Sequence, residues 1–130
     1  MLNSESRLRE VLEGIGEAFY ALDQDQRFLY ASRKALEIWD KKPDDLIGIP
    51  FLSAFPNAVG TPDYETHRRV LETGTAKHFE SVSPLTGHWF EVDINPTSTG
   101  VSVAFRDIDR RKQAEALLRA SEARLWRQLS

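Results

Sequence analysis

Cysteine is the first thing that this sequence lacks. None of its 130 residues is a cysteine, which excludes disulfide bonds, thiolate-bound metal and a cysteine nucleophile. There is also no apolar run of about 18 residues, so no segment is predicted to span a membrane. Met1-Leu2-Asn3 does not begin a signal peptide. A cytoplasmic location is the default expectation from these absences.

Concentrated positive charge is absent as well. The formal net charge is −3, and the basic residues gather near the C-terminus, where acidic residues lie among them. A nucleic-acid-binding protein would show a basic face. Nucleic acid is therefore not an expected partner.

Recognisable catalytic and metal-binding motifs are also missing. The three histidines and scattered carboxylates form no metal triad at a known spacing, and there is no H-E-x-x-H, P-loop or G-x-S-x-G pattern. Gly14-x-Gly16 lacks the third glycine of a dinucleotide loop and follows a predicted helix instead of a strand. We therefore expect no catalytic residue and no metal ligand within this segment.

The C-terminal third of the chain predicts two strands and a helix. Apolar and polar residues alternate over His88–Ile94, which is the period of a half-buried strand. The run Asn95–Gly100 has turn composition, and Val101–Ile108 is a second stretch of β-branched and aromatic residues. The residues that follow are rich in Ala, Leu, Arg, Glu and Gln without Gly or Pro, which is helix composition.

This segment carries a family resemblance. The run W-x-E-V-x-x-x-P begins at Trp89, and G-x-x-V-x-F-R-D-I-x-x-R-K-x-A-E-x-x-L-R-x-S-E begins at Gly100. Together they resemble the C-terminal half of a PAS sensor domain with its PAC motif, and the resemblance extends from about Arg7 to Leu129. One departure is Asp109, where the family usually has Thr; either residue is able to cap a helix.

The resemblance implies an α+β fold. Its parts are a five-stranded antiparallel sheet, short helices on one face, an N-terminal cap helix and a C-terminal helix of coiled-coil type. It also implies a place in a two-component sensor, ahead of a histidine kinase core or another PAS domain. The parent chain would then be a histidine kinase, whereas this segment itself would not be an enzyme.

The order of elements along the chain agrees with this architecture. Glu5–Gly14 predicts an amphipathic helix, and Ala18–Tyr30 has the composition of a β-hairpin. Short helical segments occupy residues 32–56, Thr61 caps a longer helix, and Lys77–Ser83 is the next strand. We expect a cap helix at 1–16, a PAS domain at 17–108 and a signalling helix at 109–130.

A ligand pocket is expected where the short helices cover the sheet, because fragments of this length leave gaps between one another. PAS ligand sites lie there by resemblance. The candidate lining residues are Trp39, Phe51, Phe55, Tyr64, His67, Phe79, Phe90 and Phe105. The same side chains would fill a dry core equally well, and both interpretations stay open. The cofactor is not predicted, but the lack of cysteine excludes the cysteinyl–flavin chemistry of one PAS subgroup.

His67 has to be weighed separately. In some PAS domains the equivalent helix supplies a histidine to haem. A neutral histidine on a partly buried helix face is usually structural, however, and the haem ligand should lie nearer the start of the helix. We therefore do not expect haem in this chain.

Two surfaces are candidates for contact with a second subunit. Leu8, Val11 and Leu12 share a stripe of the N-terminal helix, and Trp89 falls on the outer sheet face, where a large aromatic side chain needs cover. In the C-terminal helix, residues at the alternating spacing of a coiled-coil seam are Ala114, Leu118, Ser121, Leu125 and Gln128. The sequence predicts a homodimer that uses Leu118 and Leu125. The alternative is a solvated helix with i,i+4 charge pairs.

These observations predict a sensor or signal-relay domain. A small ligand or a partner would bias the packing of the sheet, and the last strand would pass the change to the helix through Asp107, Ile108 and Asp109. A PAS dimerisation module without a ligand is one alternative. A small-molecule-binding enzyme of similar α+β build is the other.

Overall fold

The computed structural model describes residues 18–83 and 86–129. The predicted N-terminal helix, with Leu8, Val11 and Leu12, lies outside these residues. Its role in covering the sheet or contacting a second subunit therefore stays a prediction.

Five strands form one antiparallel sheet, as the sequence predicted. They are β1 (Ala18–Asp23), β2 (Phe28–Ala31), β3 (Lys77–Val82), β4 (Trp89–Pro96) and β5 (Gly100–Asp107). Their order across the sheet is β2-β1-β5-β4-β3. The first and last strands are therefore direct neighbours, and β5 lies at the centre of the sheet.

The remaining elements lie between β2 and β3 and after β5. They are α1 (Arg33–Trp39), α2 (Pro43–Leu46), α3 (Phe51–Ala54), a 3-10 turn (Pro56–Ala58), α4 (Pro62–Thr73) and α5 (Asp109–Leu129). Ser32 caps α1 and Thr61 caps α4, because each side-chain oxygen accepts a hydrogen bond from a backbone N–H of the first turn. Gly74 ends α4 with a φ of 67°, a conformation that glycine adopts without strain.

The core lies between the inner face of the sheet and the helices. Phe90, Val92 and Ile94 alternate along β4 and are buried, as predicted, and alternate residues of β5 are buried in the same way. Burying one such side chain stabilises a fold by roughly 1.5–3 kcal/mol. The alternation therefore selects which face of the sheet the helices cover.

The turn between β4 and β5 is shorter than the sequence predicted. The predicted turn began at Asn95, but β4 continues to Pro96, which pairs with Val101. A proline is tolerated at the end of a strand because the missing N–H removes few ladder hydrogen bonds there. The backbone N–H of Thr97 donates to the Gly100 carbonyl at 2.9 Å and closes the tighter turn.

A single residue, Ile108, separates β5 from the C-terminal helix α5. The helix runs for 21 residues, about 30 Å at the rise of an α-helix. Every residue from Ala116 to Leu129 is exposed. The helix therefore extends away from the core instead of folding back over it. None of the helices in the part of the chain that the structure describes combines the length and apolar character needed to cross a bilayer.

Candidate functional site

A cavity of about 220 Å³ lies between the sheet and the helices that cover it. Its floor comes from β1, β3, β4 and β5, and its walls come from α1, α3, the 3-10 turn and the start of α4. The lining is mainly apolar and aromatic, which is typical of small-molecule sites. The lining residues are Tyr20, Trp39, Lys41, Phe51, Ala54, Phe55, Pro56, Asn57, Ala58, Thr61, Asp63, Ser81, Ser83, Phe90, Val92, Val103 and Phe105.

Three aromatic rings form a continuous wall of this cavity. The rings of Trp39 and Phe105 are stacked, with centroids 5.5 Å apart and an interplanar angle of 15°. Phe55 meets Trp39 in a T-shaped contact at 5.0 Å. Because Phe105 belongs to β5, this wall couples the central strand to the helices.

The structure brings together five of the eight residues predicted to line a pocket. Trp39, Phe51, Phe55, Phe90 and Phe105 all lie on the cavity wall. Ligand binding by these residues stays a prediction.

Tyr64, His67 and Phe79 do not line the cavity. Tyr64 and Phe79 are half-buried and pack against the core. His67 is fully buried, because α4 directs it towards the core. Helix and strand periodicity placed these residues on an inward face, but it could not decide which inward side chains border an empty space.

His67 makes its polar contact with Tyr20. The Tyr20 hydroxyl lies 2.7 Å from Nε2 of His67, and Nδ1 is buried without a hydrogen-bond partner among the described residues. Burial lowers the pKa of His67 to about 3. The imidazole is therefore neutral near pH 7, and its Nε2 is engaged by Tyr20.

Asp63 and Tyr20 are cavity residues that the sequence analysis missed. Ser81 Oγ donates a hydrogen bond to Asp63 Oδ1 at 3.2 Å, while burial raises the pKa of the Asp63 carboxyl. Burial, and then the charge of Asp63, raises the pKa of the Tyr20 hydroxyl. Tyr20 is buried on the inner face of β1, but the β1 sequence is apolar on both faces and does not mark it, and no local pattern marks Asp63.

The predicted relay residues form the joint between β5 and α5. Ile108 is buried, and its N–H donates to the Trp89 carbonyl at 2.9 Å, which extends the β4–β5 pairing by one step. The Trp89 N–H in turn donates to Asp109 Oδ1 at 3.1 Å. Asp109 therefore ties the helix to β4, in addition to lying at the favourable N-terminal end of α5.

Asp107 completes this joint on the other side. Its Oδ1 accepts a hydrogen bond from the Asp109 N–H at 2.9 Å, and its Oδ2 lies 2.8 Å from Nδ1 of His88. The hydrogen bond with Asp107 raises the pKa of His88, and the same contact lowers the pKa of Asp107. The end of the last strand is thus held to the start of β4 by an exposed hydrogen bond between Asp107 and His88.

A second set of contacts holds the first turns of α5 to the sheet. The Glu80 carboxylate in β3 pairs with the guanidinium of Arg111 and with Lys112 Nζ. Lys112 Nζ also lies 4.7 Å from the centroid of the Trp89 ring, a cation–π geometry. Trp89 was predicted to need cover on the outer face of the sheet, and the C-terminal helix α5 covers it in part through Lys112.

The apolar side chains of α5 are mostly uncovered. The predicted seam residues Leu118 and Leu125 are 60% and 55% exposed. Three more large apolar residues of α5 are also exposed and lie off the predicted seam, namely Leu117, Trp126 and Leu129. The predicted subunit contact of this helix stays a prediction.

Three metal-ligating side chains meet on the outer face of the sheet, although their spacing matches no motif. His78, Glu91 and Asp93 each offer one ligand atom, and these atoms lie within 4.8 Å of one another. They meet because His78 in β3 is paired with Asp93 in β4. Nδ1 of His78 lies 2.7 Å from Asp93 Oδ1, so a hydrogen bond between exposed side chains accounts for the arrangement without a metal.

Comparison with known proteins identifies the family. The family model described as the PAS fold matches residues 12–113, which is most of the chain, and the chain therefore belongs to this family. PAS domains are sensory and not catalytic, and this chain is a PAS sensor domain. A search against curated proteins gave no match.

Solved structures with the same fold include PAS domains of sensor kinases. The PAS domain of BvgS from Bordetella pertussis superposes with a TM-score of 0.66 at 20% identity, covering 93% of this chain and 99% of that one. The PAS domain of the histidine kinase ThkA gives a TM-score of 0.57 at 17% identity, covering 70% of this chain and 99% of that one. A structure of VqmA bound to DPO gives a TM-score of 0.62 at 20% identity, covering 78% of this chain and 56% of that one. Identities this low show the fold alone.

Proposed function

We propose that this PAS domain senses a small ligand in its cavity and relays occupancy to α5. The observation that carries the proposal is that β5 takes part in both places. Val103 and Phe105 lie on the cavity wall, and Asp107, two residues beyond Phe105, ends the strand at the helix joint. A strand with one end in the cavity and the other at the helix is a direct mechanical connection.

The relay begins at the aromatic wall. A ligand that enters the cavity has to contact or displace the stacked rings of Trp39 and Phe105. Interiors are closely packed, so a shift of Phe105 is transmitted to its strand instead of being absorbed locally. Because Ile108 continues the pairing of β5 with β4, movement of β5 changes where the first turn of α5 begins.

The signal is a shift between two packing states. A ligand moves such a balance only by its differential affinity for the two states. A change from 1:99 to 99:1 needs about 5.5 kcal/mol of differential binding. The polar contacts that hold the base of α5 are exposed, and exposed ion pairs are individually weak. A modest difference in affinity for the two states is therefore sufficient to alter them.

The setting that we propose is a cytoplasmic two-component sensor. The likeness to the PAS domain of the histidine kinase ThkA supports a histidine kinase as the parent chain. In this proposal, residues 1–16 form a cap helix, 17–108 the sensor and 109–130 the helix that leads to the output domain. The exposed apolar residues of α5 support a homodimer in which two such helices pair.

A PAS dimerisation module without a ligand is the second candidate. It is favoured by the five exposed large apolar side chains of α5, which would be costly to leave in water. The cavity and the half-buried carboxyl group of Asp63 on its wall favour the sensor, because a packing module has no use for unfilled space beside such a group. The bound DPO in VqmA is consistent with ligand binding in this fold.

Two measurements test the proposal. Native mass spectrometry and an absorption spectrum of freshly purified protein report any retained ligand and the number of subunits. For the relay, the lack of native cysteine allows spin labels at Gln24→Cys and Ser121→Cys, both at exposed positions. Dilution with unlabelled protein isolates the distance within one chain.

The variant Ala54→Trp fills the cavity from α3, where Ala54 lies on the wall. We expect it to change the distance between the two labels. Ser53→Trp is the matched control, because Ser53 is the exposed neighbour on the same helix and does not line the cavity. If folded Ala54→Trp gives the same distance distribution as Ser53→Trp, the cavity is not coupled to α5 and the relay is wrong.

A further inference from the structure

The carboxyl group of Asp63 on the cavity wall is a feature that an ordinary dry core would avoid. Asp63 lies in the first turn of α4, where a negative charge is favoured by the helix dipole. If the carboxylate were in solvent, its place in the first turn would be explained by the helix dipole alone. This carboxylate, however, lines a space walled by aromatic rings, where a charge without a counter-charge is costly.

The described residues give this carboxyl group hydrogen bonds but no counter-charge. Ser81 Oγ donates a hydrogen bond to Oδ1 at 3.2 Å. Burial raises the pKa of Asp63, whereas the Ser81 hydrogen bond and a backbone N–H work in the opposite direction. Within residues 18–83 and 86–129, no cationic side chain is among the groups that perturb it. A positively charged group supplied from outside would stabilise the ionised form.

The surrounding rings suit a cation as well. Aromatic faces attract ammonium groups through their quadrupole, most strongly when the cation is shielded from water. Trp39, Phe55 and Phe105 form the continuous wall described above, with centroid separations of 5.5 and 5.0 Å between successive rings. The wall also offers apolar surface to a compact hydrophobic body.

We propose that the cavity binds a small amine, in which a protonated primary or secondary nitrogen pairs with Asp63 and a compact apolar body lies against Trp39, Phe55 and Phe105. This inference rests on the proposed function, since it names the ligand class of the same cavity. At about 220 Å³, the space suits a body of roughly one ring. It deepens the sensor proposal by predicting which charge the ligand carries.

An anionic ligand is the main competitor, because Lys41 also lines the cavity. Lys41 Nζ lies 5.5 Å from the centroid of the Phe55 ring, so its charge is already satisfied in part by a cation–π contact. Lys41 is the half-buried residue that follows α1 and its cap, whereas Asp63 is held by Ser81 of the sheet. Among the described residues, no cationic side chain perturbs Asp63, whereas Lys41 already has a ring partner, so the cavity favours a cation.

A matched probe series tests the sign of the ligand charge. Benzylamine, benzyl alcohol and benzoate share a ring and differ in charge, and their binding is measured by NMR titration of the full chain at neutral pH. We expect benzylamine to bind about tenfold more tightly than benzyl alcohol, and benzoate to bind least, as one charge-assisted contact predicts. Asp63→Asn keeps the shape and should remove this preference. Asp44→Asn, at an exposed position on α2, should leave it unchanged.

Three outcomes overturn the inference. They are equal or tighter binding of benzyl alcohol or benzoate, retention of the amine preference in Asp63→Asn, and no binding of any probe at millimolar concentration. The inference is supported if folded Asp63→Asn loses the amine preference and Asp44→Asn keeps it. The relay is judged separately by Ala54→Trp, so a cavity that binds the neutral or anionic probe leaves the sensor proposal standing while the amine assignment fails.

Discussion

The hydroxyl of Tyr20 in β1 lies 2.7 Å from Nε2 of His67 in α4, and both side chains are buried. This hydrogen bond joins the central sheet to the longest helix that covers it. It also ties the stability of the fold to the protonation of His67, because the ring is held neutral by burial. A histidine that must be neutral in the folded state makes the protein sensitive to acid.

We predict that the protein loses stability as the pH falls below the ordinary pKa of histidine. The pKa of His67 is about 3 in the folded protein, compared with 6.5 ordinarily, so between these values the unfolded chain binds the additional proton. The stabilisation is therefore complete above pH 6.5 and is lost progressively towards pH 3. The full effect is at most about 5 kcal/mol.

Urea unfolding at pH 7, 6, 5 and 4 measures this dependence. His67→Gln keeps a hydrogen-bonding side chain that does not titrate, and it should flatten the pH profile. His78→Gln is the control, because His78 is exposed and its hydrogen bond with Asp93 raises its pKa, so its contribution to the pH profile has the opposite sign. A His67→Gln profile as steep as that of the native chain would show that other groups account for the acid sensitivity.

Gly100 is predicted to be intolerant of any side chain. A Cβ atom at this position would lie 2.0 Å from the Leu22 carbonyl oxygen and 2.7 Å from Asp23 Cα. Both are backbone atoms of the neighbouring strand, so β1 and β5 would have to separate. We expect Gly100→Ala to lower the free energy of unfolding by about 2–4 kcal/mol.

Thermal or urea unfolding checks this value, with Thr99→Ala as the control in the same turn. Thr99 is exposed, and its substitution should change the free energy by less than about 0.5 kcal/mol. Equal stability of Gly100→Ala and Thr99→Ala would mean that the β1–β5 contact is looser than described.

The contacts of Glu80 are predicted to hold the first turns of α5 against the sheet. Its hydrogen bonds with Lys112 and Arg111 lower the pKa of the Glu80 carboxyl, so the group is charged at neutral pH. Glu80→Gln removes the charge that both cations share. We expect faster amide hydrogen exchange in the first two turns of α5 with little change in global stability.

Hydrogen exchange with peptide-level mass spectrometry resolves this effect. Glu65→Gln is a matched control, because Glu65 also forms an exposed ion pair, with Arg68 on α4, but does not touch α5. High salt should reproduce the effect of Glu80→Gln, since exposed pairs are screened. Protection of α5 that is unchanged in both cases would argue that the backbone contact of Ile108 alone fixes the joint.

The apolar seam of α5 is predicted to form a subunit contact. Leu118 and Leu125 are spaced seven residues apart and are more than half exposed in the single chain. Burial of each leucine in a dimer contributes roughly 1.5–3 kcal/mol. Replacing both with serine should therefore weaken the dimer by at least about tenfold.

Analytical ultracentrifugation over a concentration series measures the dimer constant. Leu117→Ser is the control, because Leu117 is even more exposed, at 72%, but lies off the predicted seam. Equal weakening by both variants would indicate non-specific association. A monomer at all concentrations in the native chain would remove the coiled-coil prediction.

The local elements were accessible from the sequence because their signals are local. Helix α1 begins after Ser32, and helix α4 begins after Thr61 and ends at Gly74. Each of these boundaries depends on a hydrogen bond or a backbone conformation that involves near neighbours in the chain. The alternation in β4 and β5 identified the buried face, since a strand turns every second side chain to the same side. The β4–β5 turn was misjudged because Asn95 and Pro96 have turn composition, whereas their pairing with β5 depends on the partner strand.

What the sequence determined by itself is therefore the type and order of the elements, the inward faces and the family resemblance. Tertiary structure alone decided which polar groups meet. Tyr20 and His67 are 47 residues apart and share a hydrogen bond, and Asp63 and Ser81 are 18 apart and share the cavity. Helix and strand periods specify the direction of a side chain relative to its own element, but not which distant element it faces. The position of the cavity and the charged group on its wall arise only when β1 pairs with β5 and the five-stranded sheet is complete.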